Sequence, residues 1–366
     1  MSGSKIKLGA HDGLHGIFHH LDSLQKWRRG EDFPPLYVEV SPTNQCNQRC
    51  FYCYVDHLGY GNTFMPREMI VKLFHDMGAS GVKCCEIQGT GEPLLNKALP
   101  EAIVAGKKHG LSTVLVTNAT LFKTELIEEI LPCLSFLRIS SMAHDAKTYA
   151  RLHGSSESHF DLVIKALKDC VRVRDAQHLD VVIVCTFLLF DFNMPHLVET
   201  ARMLKEIGVD VFKLWPTIDQ GRNQNHDWKR DHFHKIFTEE IQRLKELNDD
   251  HFHVYLNSEN LDFFMSPIPP EKPYPICYGV EFETHIDADG KIYPCQFCWK
   301  DERYCLGDLT QSNFKEIWGS NQRKERMQLF LKEVNTNQCR VFCCKQHSIN
   351  DLLYQLANPP RHVNVL

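Results

Sequence analysis

The sequence lacks the marks of a secreted or membrane-bound protein. It opens with the polar run Met-Ser-Gly-Ser-Lys, which contains no apolar stretch of signal-peptide length. Nowhere do about eighteen apolar residues follow one another, as a membrane-spanning helix requires. We therefore expect a cytoplasmic protein with no membrane partner.

An excess of basic residues is also missing. The chain has 46 acidic and 41 basic residues, a formal net charge of −5 and a pI near 6.5. Because such a chain has no general attraction to phosphate backbones, we expect no nucleic-acid partner. No low-complexity linker interrupts the 366 residues, and the 43% hydrophobic content predicts one large globular domain with a smaller one.

Cysteine, by contrast, is abundant, with 15 residues. Without a secretion signal, this number favours metal ligation over a disulfide framework. The most informative run is Cys-Asn-Gln-Arg-Cys-Phe-Tyr-Cys, which contains Cys46, Cys50 and Cys53. Three thiolates can hold three irons of a [4Fe–4S] cube and leave the fourth iron open to a small molecule. A structural zinc site needs a fourth ligand, for which His57 is the nearest candidate.

Hydrophobic periodicity predicts alternating strands and helices between residues 36 and 250. The predicted strands are 36–40, 84–88, 113–117, 136–140, 180–189 and 211–215. The predicted helices are 66–77, 97–109, 124–131, 160–174, 195–207 and 228–247. Such units form a parallel α/β sheet whose chemistry lies at the carboxyl ends of the strands. Spacing alone leaves an open sheet and a curved partial barrel as alternatives.

Three features together resemble the radical S-adenosylmethionine (radical SAM) superfamily. They are the C-x3-C-x2-C spacing, the aromatic Tyr52 before the third cysteine, and Gly-Thr-Gly-Glu-Pro at 89–93, where Thr90 replaces a frequent glycine. The resemblance implies a partial (β/α)6 barrel, an S-adenosylmethionine (SAM) cofactor and a SAM-binding [4Fe–4S] cluster on Cys46, Cys50 and Cys53. In this family, reductive cleavage of SAM gives a 5'-deoxyadenosyl radical that takes hydrogen from a substrate carbon.

The resemblance also implies which residues bind SAM. They are Tyr52, Gly89, Thr90, Gly91, Glu92, Pro93, Asn118, Ser140 and Arg151. Tyr52 would lie near the adenine, and the small residues before Glu92 would let main-chain groups approach the methionine amino group. Ser140 would contact the ribose, and Arg151 would reach the carboxylate. A strand-end cap for Ser140 and an ordinary turn for Asn118 are the structural alternatives.

Beyond residue 255 the alternation of strands and helices stops and cysteines recur. Cys277, a turn at Gly290 and then Cys295 resemble the opening of the SPASM and twitch auxiliary-cluster domains. We favour the twitch form with a second, auxiliary [4Fe–4S] cluster. Its expected ligands are Cys277, Cys295, Cys339 and Cys343, with Cys344 as the alternative fourth ligand. A structural zinc site in this unit is the competing interpretation.

These patterns divide the chain into an N-terminal extension (1–35), a radical SAM partial barrel (36–255) and an auxiliary-cluster domain (256–366). The expected function is hydrogen abstraction from a small molecule of the sugar, aminocyclitol or nucleoside type. The outcome would be dehydrogenation or epimerisation, with Cys298 and Cys305 as candidate hydrogen donors. A flavodoxin or ferredoxin would supply electrons. Alternatives are a radical SAM peptide maturase and a zinc-stabilised binding protein without redox chemistry.

Histidine is frequent as well, with 20 residues scattered along the chain. Pairs such as His232 and His234 have no third potential ligand nearby in the sequence. We expect the histidines to be solvated.

Overall fold

The computed structural model describes residues 14–140, 142–216, 240–256, 272–339, 347–359 and 361. In these residues a ten-stranded sheet has the order β10-β9-β8-β1-β2-β3-β4-β5-β6-β7. The strands are β1 (Tyr37–Val40), β2 (Cys84–Ile87), β3 (Ser112–Thr117), β4 (Phe136–Ile139), β5 (Val182–Leu189), β6 (Val211–Pro216), β7 (His253–Leu256), β8 (Glu283–Ile286), β9 (Lys291–Tyr293) and β10 (Gly307–Asp308). The first eight pair in parallel, and β9 and β10 are antiparallel.

Helices connect the parallel strands and surround the sheet. In the described residues they are α1 (Leu14–Ile17), α2 (Leu21–Arg28), α3 (Arg67–Ser80), α4 (Leu99–Lys108), α5 (Thr124–Ile130), α6 (Ala146–His153), α7 (Ser158–Ala176), α8 (Leu197–Ile207), α9 (Phe314–Gly319), α10 (Asn321–Glu333) and α11 (His347–Ala357). The predicted strands and most predicted helices are confirmed to within a few residues. Helix α6 and strand β7 were not predicted, and residues 228–239 of the last predicted helix (228–247) lie outside the described part of the chain.

Side chains alternate between the two faces of each strand. Val38 and Val40 of β1 are fully buried and belong to one large core with Phe74 and Met77 of α3. Glu39, between the two valines, lies on the opposite face, which is the interior of the curved sheet. Apolar residues therefore hold the helices on the outside, and polar residues face inward.

The sheet continues across the predicted domain boundary at residue 255. Strand β8, which belongs to the cysteine-rich part, pairs in parallel with β1, so that His285 lies opposite Glu39. The sequence predicts this region as a separate unit and does not indicate the pairing. The division at residue 255 stays a prediction, but both parts contribute to one sheet.

The segment before β1 packs on the C-terminal part of the chain. Ile17 and Leu36 form a small second core with Phe282 and Leu353. The indole nitrogen of Trp318 on α9 donates a hydrogen bond of 2.6 Å to the backbone oxygen of Phe33. Residues 17–36 and the C-terminal part of the described chain thus pack together beside β1 and β8. Among the described helices, none combines the length and apolarity that crossing a bilayer requires.

Candidate metal and cofactor site

The three clustered cysteines lie in the loop that follows β1. Burial raises the pKa of Cys46 to about 11, and it raises the pKa of Cys50 and Cys53 as well. The negative charges of Cys53 and Cys46 add to this rise in the pKa of Cys50, so the three thiolates interact electrostatically. Iron ions supply the positive charge that stabilises such a set of thiolates. The donor set therefore fits an iron–sulfur cluster.

Helix α6 holds this cysteine loop from one side. The backbone oxygens of His153 and Leu152, in its last turn, accept hydrogen bonds from the amides of Arg49 (2.9 Å) and Phe51 (3.3 Å). Gly154 ends the helix with a φ of 52°, and a Cβ there would overlap the backbone of Arg49. The conformation of the loop thus depends on a helix about one hundred residues further along the chain.

The Gly-Thr-Gly segment after β2 packs directly against the same loop. Gly89 has a φ of 123°, and a Cβ on it would lie 2.8 Å from the Cα of Ser41. The hydroxyl of Thr90 is 3.1 Å from the hydroxyl of Ser41, and its amide donates to that hydroxyl at 3.0 Å. These glycines are therefore required by the packing of two loops. Their predicted contact with the methionine part of SAM stays a prediction.

Gly91 offers a test of this packing. A Cβ at Gly91 would lie 2.6 Å from the backbone oxygen of Thr43 and would also overlap that of Gln45. We expect Gly91→Ala to displace the cysteine loop and to lower the iron content of the reconstituted protein by about four atoms per chain. Gly319→Ala is the control, because no atom lies within 4 Å of its added methyl group. Equal iron contents in the two variants would show that the loop tolerates the methyl group.

Glu92 connects the loops after β2 and β3. Its buried carboxylate accepts hydrogen bonds from the Thr117 hydroxyl (2.6 Å), the Asn118 amide (2.9 Å) and the Leu94 amide (3.1 Å). Burial raises its pKa, although these hydrogen bonds act in the opposite direction. The side-chain amide of Asn118 donates in turn to Asn47 in the cysteine loop, at 2.8 Å. The structure thus places two predicted SAM-binding residues, Glu92 and Asn118, next to the cysteine loop. Both hold neighbouring loops in position through hydrogen bonds.

The structure gives a contact for each of three further predicted SAM-binding residues, Tyr52, Arg151 and Ser140. The Tyr52 hydroxyl forms a hydrogen bond to the Cys50 sulfur. Arg151 lies with its guanidinium 3.8 Å from the ring centroid of Phe192, in the loop after β5. Ser140, at the end of β4, donates its amide to the Thr117 oxygen at 2.9 Å. The predicted roles of Tyr52, Ser140 and Arg151 in binding SAM stay predictions.

Charged side chains face the interior of the sheet below this loop. Arg138 of β4 forms an ion pair with the buried Glu86 of β2 and donates to Gln88 at 3.0 Å. Lys213 of β6 lies on the same face, 4.7 Å from the ring centroid of Trp215. The sequence motifs do not identify Arg138, Glu86 or Lys213 as site residues. The available signal was a charged residue inside an apolar strand, as in Cys-Cys-Glu-Ile of β2.

A second charged group joins β1 to β8. The imidazole of His285 lies 3.5 Å from Glu39 and 3.4 Å from Glu283, and all three side chains are buried. His285 is 4% exposed and His153 is fully buried, so the expectation of solvated histidines is wrong for both. Each sits where strands or loops distant in sequence meet, which periodicity does not reveal.

The ion pairs of His285 should make the free energy of unfolding depend on pH. Burial alone would lower its pKa, but the carboxylates of Glu39 and Glu283 raise it to about 9, above the unfolded value of 6.5. The ion pairs therefore contribute fully below pH 6.5, by about 3 kcal/mol, and the contribution is lost as the pH rises through 9. Urea unfolding between these pH values should show a fall in stability that His285→Gln lacks. Equal falls in both proteins would contradict the prediction.

In the C-terminal part of the chain, four cysteines lie in two neighbouring pairs, Cys277 with Cys339 and Cys295 with Cys298. Cys277 accepts a hydrogen bond of 3.3 Å from Asn350 of α11, and burial, with a contribution from the charge of Cys339, raises its pKa to about 11. Cys295 and Cys298 lie within one turn, joined by a backbone hydrogen bond of 2.9 Å. The predicted ligand Cys343 and its alternative Cys344 lie outside the described residues.

The two candidate hydrogen donors lie in this same C-terminal part of the chain. Cys298 is buried, and the thiol of Cys305 donates to the Gly307 oxygen at 3.4 Å. Their predicted role as hydrogen donors stays a prediction.

Two family models match the chain. That of the radical SAM superfamily matches residues 40–204, and that of the SPASM iron–sulfur cluster-binding domain matches residues 277–345. Both matches confirm the resemblances drawn from the cysteine motifs. In the C-terminal part the match is to the SPASM model, whereas the cysteine spacing favours the related twitch form with one cluster. The number of auxiliary clusters stays a prediction.

Two curated proteins can be aligned with most of this chain. GTP 3',8-cyclase of Aquifex aeolicus is 25% identical over 80% of this chain and 91% of that protein. The AdoMet-dependent heme synthase of Methanosarcina barkeri is 22% identical over 78% of this chain and 82% of that protein.

Solved structures with the same fold include SuiB of Streptococcus suis bound to S-adenosylmethionine. Its TM-score is 0.63, with 17% identity over 86% of this chain and 72% of that one. Another is anSMEcpe with bound AdoMet, with a TM-score of 0.58 and 17% identity over 91% of this chain and 95% of that one. These structures confirm the predicted α/β fold class.

Proposed function

The chain belongs to the radical SAM superfamily and contains a SPASM domain, and from this premise we propose that it abstracts hydrogen from a nucleoside-type small molecule. Its cofactors are SAM, a SAM-binding [4Fe–4S] cluster and auxiliary iron–sulfur ligation in the SPASM domain. The observation that carries the proposal is the convergence of Cys46, Cys50 and Cys53 with the loops after β2 and β3. They meet at the carboxyl ends of parallel strands, above an interior lined by polar side chains.

When bound, the cluster and SAM supply one-electron chemistry that breaks a carbon–hydrogen bond of the substrate. The residues of the chain hold and orient the reactants. Cys46, Cys50 and Cys53 provide the thiolates, and Glu92 and Asn118 fix the surrounding loops through their hydrogen bonds. Because the loops pack closely, reactive groups would be kept from bulk water.

The inward-facing residues support a nucleoside-type substrate. Lys213 places a cation on the same face of the sheet as the Arg138–Glu86 ion pair, which suits an anionic group such as a phosphate. Trp215 and Tyr255 flank Lys213 with aromatic rings, on which a base could stack. The name of the Aquifex relative, GTP 3',8-cyclase, also favours a nucleotide. Dehydrogenation and epimerisation stay the proposed outcomes, and a flavodoxin or ferredoxin stays the proposed electron donor.

The test is a substrate panel with anaerobically reconstituted protein, SAM and a chemical reductant. We expect nucleosides or nucleotides to raise 5'-deoxyadenosine formation above the substrate-free rate, and a deuterated substrate to transfer deuterium into that product. Lys213→Gln should raise KM for the active compound, because it removes the inward-facing cation beside Trp215 and Tyr255. Stimulation by peptides alone would favour peptide maturation, and a colourless protein without iron would favour the zinc alternative.

A further inference from the structure

His153 is a buried histidine in direct contact with a ligand of the SAM-binding cluster. It is fully buried at the end of α6, and its Nδ1 lies 3.3 Å from the sulfur of Cys50. Its ring stacks on Tyr149, with centroids 4.1 Å apart and an interplanar angle of 24°. Its backbone oxygen accepts the amide of Arg49 in the cysteine loop. The ring is therefore held in one orientation relative to the sulfur.

The chemistry of the sulfur decides which partner donates. A cysteine that binds iron is a thiolate, which has lone pairs and carries no proton. The nitrogen facing it must therefore carry the hydrogen, which assigns the Nδ1–H form to His153. The Tyr52 hydroxyl reaches the same sulfur and lies 3.4 Å from Nδ1, so the two groups approach Cys50 together.

Hydrogen bonds to cluster sulfurs favour the reduced, more negative form of an iron–sulfur cluster. We propose that His153 donates a hydrogen bond from Nδ1 to the Cys50 sulfur and thereby raises the reduction potential of the SAM-binding cluster. This inference rests on the proposed function, since it requires that Cys50 binds the cluster. His153 acts through Cys50 and is a positioning and tuning residue.

The potential of the cluster is the decisive readout, since a purely structural histidine would not change it. His153→Phe keeps a planar ring for stacking on Tyr149 but removes the N–H donor. His153→Gln restores a donor, and His159→Phe removes a histidine that contacts Gln48 but touches no cysteine sulfur among the described residues. The potentials are measured by an EPR-monitored redox titration of the signal that responds to SAM.

We expect the His153→Phe protein to bind the cluster. At a fixed potential, its ratio of reduced to oxidised cluster should be about tenfold lower than in the wild type, which corresponds to a reduction potential lower by about 59 mV for one electron. His153→Gln should recover most of this shift, and His159→Phe should match the wild type. Equal potentials in His153→Phe and the wild type would overturn the inference.

A second measurement uses the wild-type protein and does not depend on the folding of a variant. With 15N-labelled histidine, pulsed EPR of the reduced cluster should detect one coupled nitrogen. If no such coupling is found in an iron-loaded protein that cleaves SAM, the inference fails and the proposed function stands. If the wild type binds no iron, the proposed function itself fails.

Discussion

Replacement of Cys50 by alanine is expected to abolish SAM cleavage. Cys50 is the central member of the three-cysteine run. Its sulfur interacts with the thiolates of Cys46 and Cys53 and forms hydrogen bonds to Tyr52 and His153. A [4Fe–4S] cube that loses one of three protein ligands is not retained. Iron should fall by about four atoms per chain, and 5'-deoxyadenosine formation should fall to the level without enzyme.

Cys133→Ala is the matched control for this substitution. Cys133 is half-buried at the end of a short helical turn, and the charged groups that affect its pKa are Lys107, Lys108 and Glu129. We expect this variant to keep the iron content and SAM cleavage of the wild type. An active Cys50→Ala protein would show that the cluster is held elsewhere.

Replacement of Cys277 by alanine is expected to separate SAM cleavage from substrate conversion. Cys277 is half-buried in the SPASM domain, where it interacts with Cys339 and accepts a hydrogen bond from Asn350. Its loss should remove about four irons per chain, while reduced protein continues to cleave SAM without productive turnover. Iron analysis, 5'-deoxyadenosine and substrate product are measured on the same sample.

Two outcomes would contradict this prediction. If Cys277→Ala keeps the iron content of the wild type, Cys277 is not a cluster ligand. If the variant binds zinc in place of the missing iron and converts substrate normally, the C-terminal site is structural. Cys133→Ala again serves as the control for the loss of a cysteine.

The parts of this protein that the sequence predicts are those encoded locally. The spacing of Cys46, Cys50 and Cys53 and the short apolar runs of the strands depend on neighbouring residues, and both predictions of family and fold class are confirmed. Glycines 89 and 91 were recognised from their motif. The structure adds a physical reason, since side chains there would collide with the cysteine loop.

The features that the sequence did not predict depend on contacts between distant segments. Helix α6 is short, and its last turn stabilises the cysteine loop through backbone hydrogen bonds. The ion pairs of His285 exist only because β8 joins β1 in register. A single histidine without nearby potential ligands in the sequence is predicted to be solvent-exposed. The burial of His153 and His285 depends on contacts with distant segments, which the sequence does not show.

The most direct test of the central claim is the reaction of the reduced, anaerobically reconstituted protein with SAM alone. A cluster with an open iron predicts that SAM changes the EPR spectrum of the reduced protein and that 5'-deoxyadenosine accumulates slowly. Cys50→Ala should show neither effect. A brown, iron-loaded wild type whose spectrum is unchanged by SAM, and which leaves SAM intact, would contradict the assignment.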